Sequence, residues 1–304
     1  MGTRTEKDFL GAKELPEAAY YGVQTLRGKE NFHITGIPMS TEPYFVKAFG
    51  YVKKAAALAN RDLGVLDARI ADAIVGACDR LIAGEMRDQF VTDFIQGGAG
   101  TSTNMNANEV IANIALETLG HKKGEYQHVS PNDHVNFGQS TNDVYPTAFR
   151  LALILRLSAY MKALSSLQEA FFAKGKEFER VLKMGRTHLQ DAVPMSLGQE
   201  FHGWGTTIGE EVQRIAEVRA FLHEINLGAT AIGTTVTAHP GYPELATKYL
   251  SEITGTRFIL AGDLIEATSD TGAYVLLSGV LKRTSSKLTK ICNDLRLLAS
   301  GPRC

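Results

Sequence analysis

Three long segments with apolar residues at helical spacing constrain the fold more than any other feature of the sequence. They comprise residues 144–184, 194–227 and 265–299. At about 1.5 Å per residue, a helix of about 35 residues is about 50 Å long, which is more than a lone small domain can cover. Helices of this length usually pack as bundles or coiled coils. We therefore predict a mainly α fold built around a bundle of long helices.

Shorter helical patterns precede the long ones. They comprise residues 43–63, 66–83 and 104–119. The segment before the first of them is rich in Gly, Tyr and Thr, which predicts loop with at most short extended pieces. The change in helix length predicts two domains: a small helical N-terminal domain over residues 1–141, and a long-helix bundle domain over residues 142–304.

The composition is that of an ordinary globular protein, with 44% hydrophobic residues among 304 and a formal net charge of −1. Lys and Arg are scattered along the chain rather than clustered, so we expect neither nucleic acid nor a membrane as a partner. The N-terminus is charged and lacks the apolar stretch of a signal peptide. These features predict a cytoplasmic protein.

The cysteines Cys78, Cys292 and Cys304 have neither CxxC spacing nor the spacing of metal ligands. This pattern argues against a disulfide framework and against a zinc site. We therefore expect reduced thiols, no metal site and no cofactor.

Several small residues lie on the apolar face of the second long helical pattern, among them Gly198, Gly203 and Gly205. They allow neighbouring backbones to approach closely, which favours tight packing between subunits. Alternatively, they only weaken the helix, by about 1 kcal/mol each relative to Ala. The sequence leaves both interpretations open.

The first of three polar clusters is the segment QGGAGTSTNMNANEV, which begins at Gln96. Its glycines allow positive φ, and Thr101 lies where a helix would begin. A helix start of this kind offers N–H and hydroxyl groups to an anion. The spacing is not that of a Walker or dinucleotide-binding motif. A plain glycine turn followed by a Ser or Thr cap is the alternative.

The second cluster, SPNDHVNFGQSTNDVYPTAFR, precedes the longest helical pattern. Its polar residues are Ser130, Asn132, Asp133, His134, Asn136, Gln139, Ser140, Thr141, Asn142 and Asp143. Capping a helix needs one or two such residues, so the excess indicates a binding surface. In this interpretation Ser140, Thr141 and Asn142 donate to a ligand at the helix N-terminus. A polar surface loop with a single cap is the alternative.

The third cluster, MGRTHLQDAVPMSLGQEF, is predicted to form a loop between two long helices, with Arg186, Thr187, His188, Gln190 and Asp191 on it. Imidazole is the side chain best suited to exchange protons near neutral pH. A lone histidine is nevertheless more often structural than catalytic. The residue types alone leave the two roles of His188 equally open.

Together, the clusters are rich in neutral hydrogen-bond donors and contain no GxSxG motif and no Cys/His metal spacing. Such donors suit a reaction that develops negative charge on a substrate that is already anionic. Removal of a proton from a carbon next to a carboxylate is one such reaction, because the charge moves into an aci-carboxylate that N–H and O–H groups stabilise.

The segments GGAGTSTNMNANEV, NDHVN with QSTND, and GRTHLQDAVP resemble the conserved regions of the aspartase/fumarase superfamily, in the same order and spacing. The resemblance covers the whole chain. Near its two ends, AYYGVQTLRGKENF and NDLRLLASGP are similar to the aspartase branch. The resemblance implies a lyase that eliminates ammonia from L-aspartate to give fumarate, without a cofactor, in a homotetramer whose active sites each take one polar cluster from each of three subunits.

The resemblance also implies a role for individual residues. Thr101, Ser140 and Thr141 would hold the β-carboxylate, where the aci-carboxylate charge develops. Asn142 and His188 would line the amine together with Thr101, and His188 is the candidate catalytic residue. Thr187 would reach the α-carboxylate. Asn132 and Asp133 match a secondary dicarboxylate-binding segment of the fumarases.

One departure from the family concerns the signature loop Gly-Ser-Ser-x-x-Pro-x-Lys-x-Asn-Pro, which supplies a Ser base and does not occur in these 304 residues. We expect the natural polypeptide to continue into this loop, and we expect the 304-residue chain alone to lack full activity. Two alternatives remain open. One is a fumarate hydratase, and the other is a non-catalytic helical assembly protein of the same superfamily, of the kind seen in lens crystallins.

Overall fold

The structure is a computed structural model that describes residues 2–301. The chain forms two compact units. The first runs to Leu153 and also includes His223–Asp270, and the second comprises Ile154–Leu222 and the residues from Thr271 onwards. The predicted domain boundary after residue 141 stays a prediction. Cys304 lies outside the described residues.

The α-helices are numbered in chain order. They are α1 (Val23–Asn31), α2 (Pro43–Asp62), α3 (Ala68–Ile82), α4 (Thr101–Thr118), α5 (Thr141–Glu177), α6 (Leu197–Arg219), α7 (Tyr242–Thr254), α8 (Leu264–Ser269) and α9 (Gly272–Leu298). The mainly α fold with long helices is confirmed. The boundaries of the three shorter predicted helices lie within three residues of those of α2, α3 and α4. The long helices α5, α6 and α9 are each shorter than predicted. None of the described helices is long and apolar enough to cross a membrane.

The strands among residues 2–301 form three two-stranded sheets. Strands β1 (Thr3–Asp8) and β2 (Gly11–Pro16) pair antiparallel, as do β3 (Leu182–Thr187) and β4 (Gln190–Ser196), whereas β5 (Glu224–Ile225) and β6 (Ile259–Leu260) pair parallel. The short strands β1 and β2 fit the prediction of loop with at most short extended pieces before Pro43, whereas helix α1 contradicts it.

Helix α1 was missed because its N-terminus is held from a distance. No side chain of its own first residues caps it. Instead, the carboxylate of Glu109 on α4 accepts hydrogen bonds from the N–H groups of Gly22, Gln24 and Thr25, at 2.8 to 3.0 Å. Because Glu109 lies more than 80 residues further along the chain, local sequence gives no sign of this cap.

The core of the first unit is built on α2, which packs against α3, α4 and α7. Phe49 and Val52 on α2 are fully buried, and burying side chains of this size stabilises the fold by about 1.5–3 kcal/mol each. Gly50 allows α3 to come close, since a Cβ there would lie 3.2 Å from the carbonyl oxygen of Cys78. The thiol of Cys78 is free and buried, and burial raises its pKa.

In the second unit, α6 packs against α9 around the buried carboxylate of Glu211. Its Oε1 lies 3.0 Å from Nη2 of Arg283 and 2.5 Å from Nζ of Lys287. The hydroxyl of Thr284 donates to Oε2 at 3.1 Å. A buried carboxylate is tolerated only with such partners, so this cluster fixes α6 against α9.

The glycines of α6 differ in what surrounds them. A Cβ at Gly198 would lie 2.3 Å from the carbonyl oxygen of Gly175 on α5, and a Cβ at Gly205 would lie 2.6 Å from the ring of Phe172. A Cβ at Gly203 would meet nothing within 4 Å. Close packing therefore explains Gly198 and Gly205, and the contacts are made within one chain rather than between subunits. Gly203 fits the alternative of a residue that only weakens the helix.

Candidate functional site

The first polar cluster forms a tight turn that leads into α4. Gly100 precedes the helix with φ of +96°, and a Cβ there would lie 2.2 Å from Cδ2 of Tyr145. Only glycine fits both constraints. Thr101 begins α4 and is exposed, and its hydroxyl donates to the carbonyl oxygen of Gly98 at 2.7 Å. The turn therefore presents the Thr101 hydroxyl at a helix N-terminus, as predicted.

The second cluster forms the start of α5. The N–H of Ser140 donates to Oδ1 of Asp143 at 3.0 Å, and the N–H of Asn142 donates to the hydroxyl oxygen of Ser140 at 3.2 Å. The side-chain amide of Asn142 donates to the carbonyl oxygen of Ala231 at 2.7 Å. Thr141 and Ser140 are half-buried, and Asn142 is exposed. These contacts hold three predicted ligand-binding residues in a defined conformation.

Part of the polar excess in this cluster is structural rather than ligand-binding. Asp143 is buried and also accepts the N–H groups of Gly228 and Thr230, at 3.1 and 2.9 Å. Burial raises the pKa of Asp143 to about 7, and the hydrogen bonds from Thr230 and Ser140 oppose that rise. Asp143 therefore anchors the start of α5 to the segment after β5.

A direct hydrogen bond joins the first two clusters. Asn104, in the first turn of α4, donates from its Nδ2 to the hydroxyl oxygen of Thr141 at 3.1 Å. The same Nδ2 lies 3.2 Å from Oδ1 of Asn136. Thr101 and Ser140 to Asn142 thus belong to one unit of one chain. The first two clusters do not need different subunits in order to meet.

Two adjoining cavities border the predicted residues, and Arg27 lines both. One, of about 560 Å³, is also lined by Thr101 and Gln24, and the other, of about 390 Å³, is lined by Asn132 and Gln24. The guanidinium of Arg27 is held by Asp8, with N–O distances of 2.8 and 2.9 Å. The sequence analysis did not single out Arg27, although it lies in the AYYGVQTLRGKENF segment.

Asn132 and Asp133 lie in a short π-helical turn, Pro131–Val135. Ser130 caps this turn, since its hydroxyl oxygen accepts the N–H of Asp133 at 3.0 Å and its hydroxyl donates to Oδ2 of Asp133 at 2.8 Å. Both predicted residues are exposed. Asn132 faces a cavity, whereas the Asp133 carboxylate is engaged in the turn.

The third cluster is a β-hairpin, not the predicted loop between helices. Thr187 ends β3, and the turn that follows has His188 at φ of +52° and Leu189 at φ of +64°. Positive φ at both central residues is typical of the tight turn that suits the twist of paired strands. Because the sequence supplies His and Leu where Asn and Gly are favoured, its turn signal was weak.

Positive φ costs a non-glycine residue about 1–2 kcal/mol, and such strain is concentrated at functional sites. Thr187 and His188 are exposed in the second unit. His188 lines a cavity of about 520 Å³ that Arg186, Lys183 and Glu200 also border. Within this unit, the strained turn presents the imidazole to a cavity with charged walls.

One group of possible metal ligands occurs among residues 2–301: His121, Glu125 and His128, whose ligand atoms lie within 4.8 Å of one another. The two imidazoles stack, with ring centroids 3.8 Å apart and planes 9° from parallel. The lone pairs of parallel rings do not converge on one point, so a shared ion would need the rings to turn. We assign no metal to this group.

The class of protein follows from a family model described as "Lyase", which matches residues 11–304. The chain belongs to this lyase family. It is 60% identical to the aspartate ammonia-lyase of Pseudomonas fluorescens over 301 residues, and 55% identical to that of Escherichia coli strain K12 over 301 residues. Each match covers 99% of this chain and 63% of the relative, so the chain spans less than two thirds of these relatives' length.

Solved structures show the same fold. A fumarate lyase:delta crystallin from Brucella melitensis bound to cobalt has a TM-score of 0.97 at 54% identity, covering 99% of this chain and 66% of that one. The class II fumarase of Schistosoma mansoni has a TM-score of 0.94 at 34% identity, covering 100% of this chain and 67% of that one. The predicted membership of the aspartase/fumarase superfamily is confirmed.

Proposed function

We propose that the protein containing this chain is an aspartate ammonia-lyase, which eliminates ammonia from L-aspartate to give fumarate. The observation that carries the proposal is the surface of neutral donors that Thr101, Ser140, Thr141 and Asn142 form in one unit. It occurs in a chain that is 60% identical to a named aspartate ammonia-lyase. Hydroxyl and amide donors of this kind suit a dicarboxylate whose negative charge grows during the reaction.

In the proposed reaction, a base removes a proton from Cβ, and the electron pair of that C–H bond moves into the β-carboxylate as an aci-carboxylate. Ser140 and Thr141 donate to this group where the charge develops, and Thr101 joins them once its hydroxyl turns away from the carbonyl oxygen of Gly98. The electron pair then forms the double bond between Cβ and Cα, the Cα–N bond breaks, and ammonia leaves. Asn142 and His188 line the amine, and Thr187 binds the α-carboxylate.

The base itself is not assigned to any of these 304 residues. We propose that it is a Ser on the signature loop of the superfamily, which this sequence does not contain. We further propose that the active protein is a cytoplasmic homotetramer that shares its active sites between subunits. Asn132 and Asp133 would form a secondary dicarboxylate-binding segment beside Arg27.

The test is made on the complete gene product, because the activity belongs to the whole protein. Fumarate formation from L-aspartate is followed by its ultraviolet absorbance, and hydration of fumarate is assayed beside it. We expect deamination of aspartate and no hydration. Hydration without deamination would instead establish the fumarate hydratase alternative, and a folded protein with neither activity would establish the non-catalytic one.

The residue roles are tested with Thr187→Val and His188→Ala. Each removes a group that touches the substrate in the proposal, so we expect each to lower kcat/KM by about 100-fold or more. His128→Ala is the matched control, because His128 is exposed and lies outside the three proposed ligand-binding segments. Full activity of Thr187→Val or His188→Ala would refute the assignment of that residue.

A further inference from the structure

Lys53 on α2 is a fully buried lysine that no part of the proposed reaction uses. Its Nζ donates to Oδ1 of Asn136 and to Oε1 of Gln139, both at 2.9 Å. Burying an ammonium group is costly unless hydrogen bonds replace its water. Replacement of a buried charge together with its polar partners by apolar side chains often leaves stability unchanged or raises it. Stability alone therefore does not explain a lysine here.

The two acceptors of Lys53 organise the segment that leads into α5. Oδ1 of Asn136 also accepts from Asn104 and from Asn108 on α4, each at 3.2 Å. The Nδ2 of Asn136 donates to the backbone carbonyl oxygen of Gln139 at 3.2 Å. Asn136 is thus the point where α2, α4 and the segment before α5 are joined.

Gln139 fixes the backbone of the same segment. Its Nε2 donates to the carbonyl oxygens of Val135 and Phe137, at 3.0 and 3.2 Å. With its Oε1 bound to Lys53, the side-chain amide has partners at both ends. Ser140 follows directly in sequence, so the conformation of residues 135–139 determines where the proposed ligand-binding residues begin.

The network reaches the proposed carboxylate site through Asn104. Its Nδ2 donates both to Asn136 and to the hydroxyl oxygen of Thr141, at 3.2 and 3.1 Å. A hydroxyl that accepts a hydrogen bond from Asn104 has its own proton directed elsewhere. The Thr141 hydroxyl is therefore oriented as a donor by a chain of contacts that begins at the buried ammonium.

We propose that Lys53 is a positioning residue of the dicarboxylate site: its buried ammonium holds Asn136 and Gln139, and through them the segment that presents Ser140 and Thr141. The inference rests on the proposed function. Lys53 does not touch the substrate in this arrangement. It acts on substrate binding through the order of residues 135–141.

The test compares Lys53→Met with Lys54→Met in the complete gene product. Methionine has a similar length and no charge. Lys54 is the next residue on α2, and its Nζ pairs instead with the Asp79 carboxylate at 2.6 Å. We expect Lys53→Met to raise the KM for aspartate about tenfold or more and to lower kcat less, because charge-assisted hydrogen bonds are lost behind the binding surface. Lys54→Met should stay within about twofold of wild type.

A merely structural role predicts a different result. In that case Lys53→Met would lower the melting temperature and the fraction of active protein, while the folded fraction kept its KM. Kinetics are therefore measured well below the melting temperature of each variant. An unchanged KM for Lys53→Met, or an equal rise in KM for Lys54→Met, would overturn the proposal.

A second variant covers the case in which Lys53→Met does not fold. Gln139→Met removes one of the two acceptors and leaves Lys53 bound to Asn136, so we expect a smaller rise in KM, of about threefold or more. Hydrogen exchange at the amides of residues 136–142 should be faster in either variant than in Lys54→Met. Unchanged KM and unchanged exchange in Gln139→Met would overturn the proposal.

The two proposals fail in different ways. If the wild-type protein neither deaminates aspartate nor binds succinate, the proposed function fails, and hydrogen exchange still decides whether Lys53 orders the segment. If the wild-type protein deaminates aspartate and Lys53→Met keeps its KM, only the role of Lys53 is wrong.

Discussion

Two polar segments of the proposed site contain residues with positive φ. One segment uses glycine at this position, and the other uses residues with side chains. At Gly100 the residue has no Cβ, so φ of +96° is adopted without steric cost and the ring of Tyr145 packs against the backbone. At His188 and Leu189 the side chains remain, and the hairpin turn is strained. The first arrangement serves close packing, and the second places an imidazole at the tip of a turn.

We predict that Gly100→Ala destabilises the protein by about 1–3 kcal/mol, because the new Cβ would meet Tyr145 and the residue would hold a strained φ. Displacement of Thr101 should also reduce activity. Gly76→Ala is the matched control, since a Cβ at this helical glycine meets nothing within 4 Å. There we expect stabilisation by about 0.5–1 kcal/mol. Urea unfolding measures both, and equal effects would contradict the role of the close contact.

The residues proposed to touch the substrate were singled out from the sequence and stay a prediction, whereas the residues that position them could be found only in the structure. Thr101, Thr141 and His188 lie in contiguous polar motifs, and the excess of polar residues in these motifs can be recognised from the sequence alone. Lys53 lies in an ordinary helical pattern, and its partners are 83 and 86 residues away. In the sequence, a buried lysine cannot be distinguished from an exposed one, because its acceptors come close only in the folded structure.

At the scale of elements, one carboxylate binds several backbone groups of the loop before α2. Asp93 accepts the N–H groups of Ile95, Thr35 and Gly36, each at 2.9 Å, and the hydroxyl of Thr35 at 2.8 Å. Desolvation acts to raise the pKa of Asp93, but these hydrogen bonds outweigh it and lower the pKa to about 2. The charged form of Asp93 therefore stabilises the folded state.

The sign of the resulting pH dependence follows from linkage. Because the folded pKa lies below the ordinary value of 3.8, the stabilisation is fully present above about pH 4 and is lost as the pH falls towards 2. We predict that Asp93→Asn flattens the fall in the free energy of unfolding between pH 4 and 2. Asp88→Asn, at an exposed carboxylate nearby, should leave it unchanged. A wild-type slope in Asp93→Asn would contradict this account.

Helices α2 to α4 could be predicted to within a few residues. The missed elements were those whose stability comes from elsewhere in the chain. The Glu109 carboxylate caps α1, and strand pairing with a strained turn forms β3 and β4. Local periodicity reports the face that a helix buries, but it does not report a distant cap or a partner strand.

At the scale of the whole molecule, large apolar side chains remain exposed on the second unit. Leu182 is 82% exposed and Val193 66% on the hairpin, and Val275 on α9 is 67% exposed. Exposed apolar surface of this kind marks sites of association. It agrees with the proposed tetramer, in which long helices pack against those of other subunits.

We predict that the 304-residue chain self-associates when it is expressed alone, with a sedimentation coefficient that rises with concentration. Val275→Glu should weaken this association, because a charge would have to be buried at the contact. Ser286→Glu, also exposed on α9, is the control and should have little effect. A concentration-independent monomer would contradict the prediction.

The carboxylate of Glu211 has a consequence for how this molecule tolerates changes of length. Its partners Arg283, Thr284 and Lys287 lie on one face of α9. One residue inserted earlier in that helix would turn this face by roughly 100° and would leave the carboxylate buried without a cation. Insertions or deletions of one or two residues in the first turns of α9 should therefore disrupt the packing of α6 against α9.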